Sequence, residues 1–176
     1  MSSMTAEQSL FLRDFLLPAI EGEFATTKKV LAAVPDERAD YRPDPKYRTA
    51  RELAWHIVAS ELYFLEGIAK GSFEGGGEEP PNPTKSMAEL IALYENGFRA
   101  GLEKVSQLGG EQLAKPINFF QVFNRPAVAY LTFLKDHTVH HRGQLSAYLR
   151  PMGAKVPAIY GPSGDEMWEA GEAASA

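Results

Sequence analysis

Three short segments carry the same local signal, and together they decide most of what the chain can fold into. Thr5-Ala6-Glu7-Gln8, Thr49-Ala50-Arg51-Glu52 and Ser86-Met87-Ala88-Glu89 each place a hydroxyl three residues before a Glu or Gln. In such a capping box the hydroxyl accepts from the third residue's N–H while the longer side chain reaches back, and a helix begins. Apolar residues follow the first box at Phe11, Phe15, Ile20, Phe24, Val30, Leu31 and Val34, and the third at Leu90, Leu93, Tyr94, Phe98, Leu102 and Val105. That recurrence is helical rather than alternating. Pro18 falls inside the first segment and predicts a bend or an early break.

The stops are as clear as the starts. Pro35, the run after Lys70 and Gly109-Gly110 end the first three helices, and Pro151-Met152-Gly153 ends a fourth that starts near Pro126. Between them lie a loop at 35–48, a Gly- and Pro-rich loop at 71–85 and a crossover at 111–124. Strand-like alternation is almost absent. The expectation is an all-α protein, a four-helix bundle with long connecting loops and an irregular C-terminal tail. A single domain is expected over residues 1–166. The tail should pack through Ile159 and Tyr160, with Met167 and Trp168 as further candidates and 169–176 frayed.

Composition removes several function classes. The net charge is -5 and Lys28-Lys29 is the only adjacent basic pair, so no basic stripe exists for nucleic acid or anionic lipid. No apolar run approaches the ~20 residues of a membrane span. Met1-Ser2-Ser3-Met4-Thr5 lacks the regions of a signal peptide, and a cytoplasmic location is expected. There is no cysteine, so disulfides, thiolate ligands and a cysteine nucleophile are excluded together. Any metal must be held by His, Asp or Glu, and any thiol chemistry must use a thiol supplied by a substrate.

Three of the four histidines crowd into Asp136-His137-Thr138-Val139-His140-His141-Arg142. Residues four apart share a helix face, so His137 and His141 can aim two imidazoles at one point, as metal-binding helices do. The pair alone is explained slightly better as ordinary interior histidines. His56 changes the balance. It lies in the apolar stretch Leu53-Ala54-Trp55-His56-Ile57-Val58, with Glu52, Ala59, Ser60 and Tyr63 on its own face, groups small or polar enough to leave a cavity. A buried imidazole needs a partner, and a three-histidine site becomes the better reading. His140 is set aside as a partner for Asp136, on a small-residue face with Gly143 and Ala147 that would allow close helix packing.

The segments Thr49–His56, Asp136–Leu145 and Leu149–Ser163, the last containing Val156-Pro157-Ala158-Ile159-Tyr160-Gly161, together resemble the DinB family of the DinB/YfiT superfamily. The likeness runs from about residue 5 to 166. It implies an up-down-down-up bundle, a homodimer, and a divalent metal on one helix-two His and a His-x-x-x-His pair, matching His56, His137 and His141. Three imidazoles suit zinc or nickel, with iron also possible. The superfamily includes metal-dependent S-transferases that use a small thiol of the bacillithiol, mycothiol or glutathione type. The resemblance therefore suggests a transferase taking a low-molecular-weight thiol and an electrophile. A metal-dependent hydrolase and a non-catalytic stress-response metal-binding protein are the alternatives. Tyr63, Gln144 and Tyr148 are candidates to orient a substrate, and loop 71–85 and Tyr160 to cover the opening.

Overall fold

Thr5 and Thr49 begin their helices as the capping boxes predict. Each hydroxyl accepts from the N–H three residues on, and Gln8 and Glu52 return the bond to the cap backbone. Ser86 makes only half a box: it accepts from Glu89 N–H, but the Glu89 carboxylate turns to the Lys85 N–H at 2.8 Å. The computed structural model describes residues 4–74 and 79–167. The expectations for Trp168 and for 169–176 lie outside the described residues.

Four long helices result: α1 (Ala6–Ala32), α2 (Ala50–Lys70), α3 (Met87–Ser106) and, after two short elements, a last one at Ala129–Leu149. Between the third and last come a one-turn helix, α4 (Gly110–Ala114), and two strands, β1 (Pro116–Phe119) and β2 (Phe123–Pro126); the last helix is therefore α5. α1 packs on α3 and α5, and α2 packs on the same two. α1 and α2 thus sit across a diagonal, which is why their connection is long. Close approach of α2 and α3 depends on Gly101, where an added Cβ would come within 2.9 Å of Leu65 Cβ. Gly71 closes α2 in the left-handed conformation at φ 74°.

Four details depart from the sequence reading. α1 runs unbroken through Pro18. Its inward face is Leu16, Ile20, Phe24, Thr27 and Leu31, while Phe11 and Phe15 stack on one another in solvent, 72% and 68% exposed. The crossover at 111–124 is not plain loop but carries the antiparallel hairpin, with Ile117 opposite Arg125 and Phe119 opposite Phe123. The hairpin is pinned to the bundle by Ile117, which is buried, and by the Tyr130 hydroxyl donating to the Ile117 carbonyl at 2.8 Å. In the tail Ile159 packs against the core as expected, whereas Tyr160 is 61% exposed and held through its hydroxyl rather than by apolar packing, and Met167 is 74% exposed.

A polar cluster sits inside the bundle. Glu61 of α2 is fully buried; it accepts from the Tyr94 hydroxyl at 2.5 Å and from Thr138 Oγ1 at 3.2 Å. Burial pushes its carboxyl up to about 7. Arg142, also buried, pairs with Glu23 at 2.6 Å and donates to Thr27 and to the Tyr160 hydroxyl. Tyr160 donates in turn to Glu23, so the tail is fastened to α1 and α5 through one buried guanidinium.

Candidate metal centre

The buried stripe of α5 is Tyr130, Leu134, Thr138, Arg142, Leu145 and Leu149, and it faces the centre of the bundle. His137 and His141 lie one position before Thr138 and Arg142, so they flank this stripe and turn toward α2. From α2, His56 turns back toward them. The ring centroids of His56 stand 5.1 Å from His137 and 4.6 Å from His141, and those two are 4.4 Å apart. One nitrogen from each ring can be chosen so that all three lie within 4.8 Å of one another. The Nε2 atoms of His56 and His141 are 3.3 Å apart. Two nitrogens bound tetrahedrally at ~2.1 Å would be roughly 3.4 Å apart, so the donor set fits a divalent ion such as zinc.

The second nitrogens of two rings are engaged away from that point. His56 Nδ1 meets Glu79 Oε2, and His141 Nδ1 meets Gln144 Oε1 at 3.1 Å. Both acceptors call for a proton on Nδ1, which leaves each Nε2 lone pair directed at the shared point. Burial, and then the neighbouring imidazoles, pull His137 down to about 4. Burial lowers His141 as well. Both rings are therefore neutral at physiological pH, the form in which imidazole binds a metal. His140 is exposed and is not one of the three converging histidines, although its ring stands 4.7 Å from that of His141; Asp136 pairs with Lys135 at 3.0 Å rather than with His140.

A cavity of about 390 Å³ opens onto His56 and His137. Ala59, Ser60 and Tyr63, named from the sequence as the face of His56, line it, and Glu79 and Arg48 stand at its polar side. Arg48 and Glu79 also line an adjoining depression with Arg42, Lys46 and Arg51, where the ion pairs are long: Arg48–Glu79 at 3.8 Å and Arg42–Glu52 at 3.8 Å.

Of the residues named from the sequence, the structure thus brings His56, His137, His141, Tyr63 and Gln144 together. It places two others apart from the cavity. Tyr148 is buried against Tyr41, edge to face at 5.9 Å, and Tyr160 is engaged by Glu23 and Arg142. Glu79 and Arg48 escaped the sequence reading. The only signal for Glu79 was its place in the Gly/Pro-rich loop already flagged as a cover. That loop is tied down where Trp55 Nε1 donates to the Pro80 carbonyl at 2.7 Å, one residue along α2 from His56.

The model of the DinB family matches residues 8–172. The uncharacterized protein YrdA of Bacillus subtilis is 31% identical over 155 residues, covering 87% of this chain and 90% of its own length. YjoA of the same organism is 28% identical over 129 residues, 72% of this chain and 82% of that one. A crystal structure of a DinB-like protein from Bacillus cereus superposes with a TM-score of 0.69 at 29% identity, over 82% of this chain and 95% of the other. That of YjoA gives 0.67 at 22% identity, over 80% and 93%, a likeness of fold. A four-helix bundle with three histidines converging between its second and last long helices, matched by the family model over nearly its whole length, is a member of the DinB family.

Proposed function

We propose that the protein is a metal-dependent transferase that joins a low-molecular-weight thiol to an electrophile. One observation carries the reading: three imidazoles from two helices converge beside a cavity large enough for a substrate. Three protein ligands suit an open site, since a closed structural site completes four. A divalent ion held by His56, His137 and His141 would supply a Lewis acid that lowers the pKa of a thiol brought to it.

The chain's own residues do the rest. Glu79 and Gln144 hold His56 and His141 in the tautomer that presents Nε2. The adjoining depression, in which Arg42, Lys46, Arg48 and Arg51 outnumber Glu52 and Glu79, suits the carboxylates that small cellular thiols carry. In the transfer the thiol sulfur forms the new bond to the electrophilic carbon. The leaving group departs with the bonding pair, and the thiol proton goes to water. The same reading takes the working form as a cytoplasmic homodimer. For the homodimer the support is the open face of Gly143 and Ala147 on α5, where a Cβ at Gly143 would meet nothing within 4 Å.

The test is turnover of 1-chloro-2,4-dinitrobenzene by the zinc- or nickel-loaded protein with a panel of thiols, against the chelated protein. Metal-dependent turnover with one thiol class is expected; none with any thiol rejects the reading. Glu79, a carboxylate lining the same cavity, favours a metal-dependent hydrolase as second reading, in which it would act as base on water. Turnover of an ester or lactone without thiol would select it. A metal-loaded protein that binds no thiol and turns over neither substrate would be a non-catalytic metal-binding protein.

A further inference from the structure

We propose that the cavity beside the histidines is a recognition chamber for a flat aromatic group, occupied in the reaction by an aryl-bearing electrophile; the catalytic part of this rests on the transferase reading above. Away from its polar side the chamber is walled by rings. Phe64 stands 5.1 Å from Phe133 and 5.6 Å from Phe119, and Phe120 lies 4.6 Å from Phe119. The wall is continuous with the histidine cluster. His137 is 6.2 Å from both Phe64 and Phe133, nearly parallel to the latter at 22°. An aryl group one or two bonds from an atom at the three nitrogens would therefore reach these rings. An apolar cavity of about 150 Å³ already admits benzene, so the space here is ample.

A packing role for these phenylalanines is the competing explanation, and Phe120 separates the two. Phe119 needs no ligand to account for it, since its ring meets Phe64, Phe73, Phe123, Tyr130 and Phe133. Phe120 sits at the hairpin tip with φ 49°, followed by Gln121 at φ 61°. A bulky side chain is an outlier there, where Gly or Asn would be at ease. Among the described residues its ring meets one other ring only, that of Phe119, edge to face, and its remaining surroundings include the chamber. The chain thus holds a large ring in a costly conformation for little packing in return. A strained residue that lines a cavity is the expected signature of a binding role. It also gives the hairpin a purpose, as the element that closes the chamber.

The experiment is calorimetric titration of the zinc-loaded full chain with benzohydroxamate and acetohydroxamate. These offer a metal the same pair of oxygens and differ only in carrying a phenyl ring or a methyl group. Wild type should bind the aryl probe about tenfold more tightly, the size of a good aromatic contact. Phe120→Gly should erase most of that preference and leave acetohydroxamate affinity unchanged, with Tm held or raised as the left-handed position is relieved. Equal affinities in wild type, or no binding of either probe, overturn the chamber. So does a Phe120→Gly protein that loses Tm and both affinities alike, which is the behaviour of a packing residue. Thiol titration of the same sample is scored separately. Thiol binding without aryl preference removes the chamber and leaves the transferase; aryl preference without thiol binding does the reverse.

Discussion

The Nδ1 nitrogen of His56 meets Glu79, and that contact decides which nitrogen is free for an ion. Partners of this kind orient imidazole ligands and raise their basicity, and losing one typically costs about 10–100-fold in metal affinity. Glu79→Ala should show a loss of that size in competition with a chromophoric chelator, while folding normally; an unchanged affinity would remove Glu79 from the site. His137→Ala and His141→Ala should each empty the protein of metal by elemental mass spectrometry, with His140→Ala as the control that keeps it. Retained metal in both ligand variants would sink the three-histidine site. His137 and His141 were legible in the sequence because four residues is one helical turn, a relation that needs no tertiary information. Glu79 was not legible. It is 23 residues from His56 and arrives through a loop whose path depends on Trp55 holding Pro80.

At the level of the element, the caps are the most local feature and the easiest to read. Thr49 starts α2 two turns before His56, and its hydroxyl accepts from Glu52 N–H at 3.1 Å. Thr49→Ala should cost about 1 kcal/mol, a fall of roughly 2–4 °C in Tm for a domain of this size. Calorimetry checks it, and no change would mean that packing alone fixes the start of α2. On α5 the small-residue face was read as a close-packing surface, but within the chain Gly143 is exposed. Gly143→Ala should therefore stabilise the isolated chain by up to about 1 kcal/mol in denaturant titration, since alanine is the better helix former. A loss of stability that depends on protein concentration would instead place the face in an assembly. The hairpin escaped detection because two four-residue strands offer too few positions for alternation to stand out.

For the molecule as a whole, Glu61 in its buried cluster contributes one part of the dependence of stability on pH. Its carboxyl titrates near 4.5 when unfolded and is raised to about 7 by burial in the fold. Below pH 4.5 both states are protonated and the favourable contribution is fully present. As pH rises from 4.5 to 7 the unfolded chain releases a proton that the folded chain keeps, so stability is lost, by roughly 3 kcal/mol at most. His137 works oppositely: its depressed value, about 4, favours the fold above pH 6.5, and that contribution is lost as pH falls toward 4. The difference between Glu61→Gln and wild type isolates the carboxyl, because glutamine keeps an acceptor for Tyr94 and Thr138 without a charge. The Tm advantage of Glu61→Gln should widen from pH 5 to pH 8; a gap independent of pH would show that Glu61 is not the group responsible. The sequence by itself determined the four long helices, their boundaries to within a few residues, the absence of thiol ligands and the pairing of His137 with His141. All of these follow from chain-local geometry or from composition. Only the tertiary structure decided that Thr138 and Arg142 face the bundle centre while the histidines flank it. It likewise brought Glu79 to His56, and Phe120 to the same cavity from a hairpin tip. Those outcomes depend on which helix faces meet across the bundle and where the connecting loops return, and no periodicity along one segment encodes them.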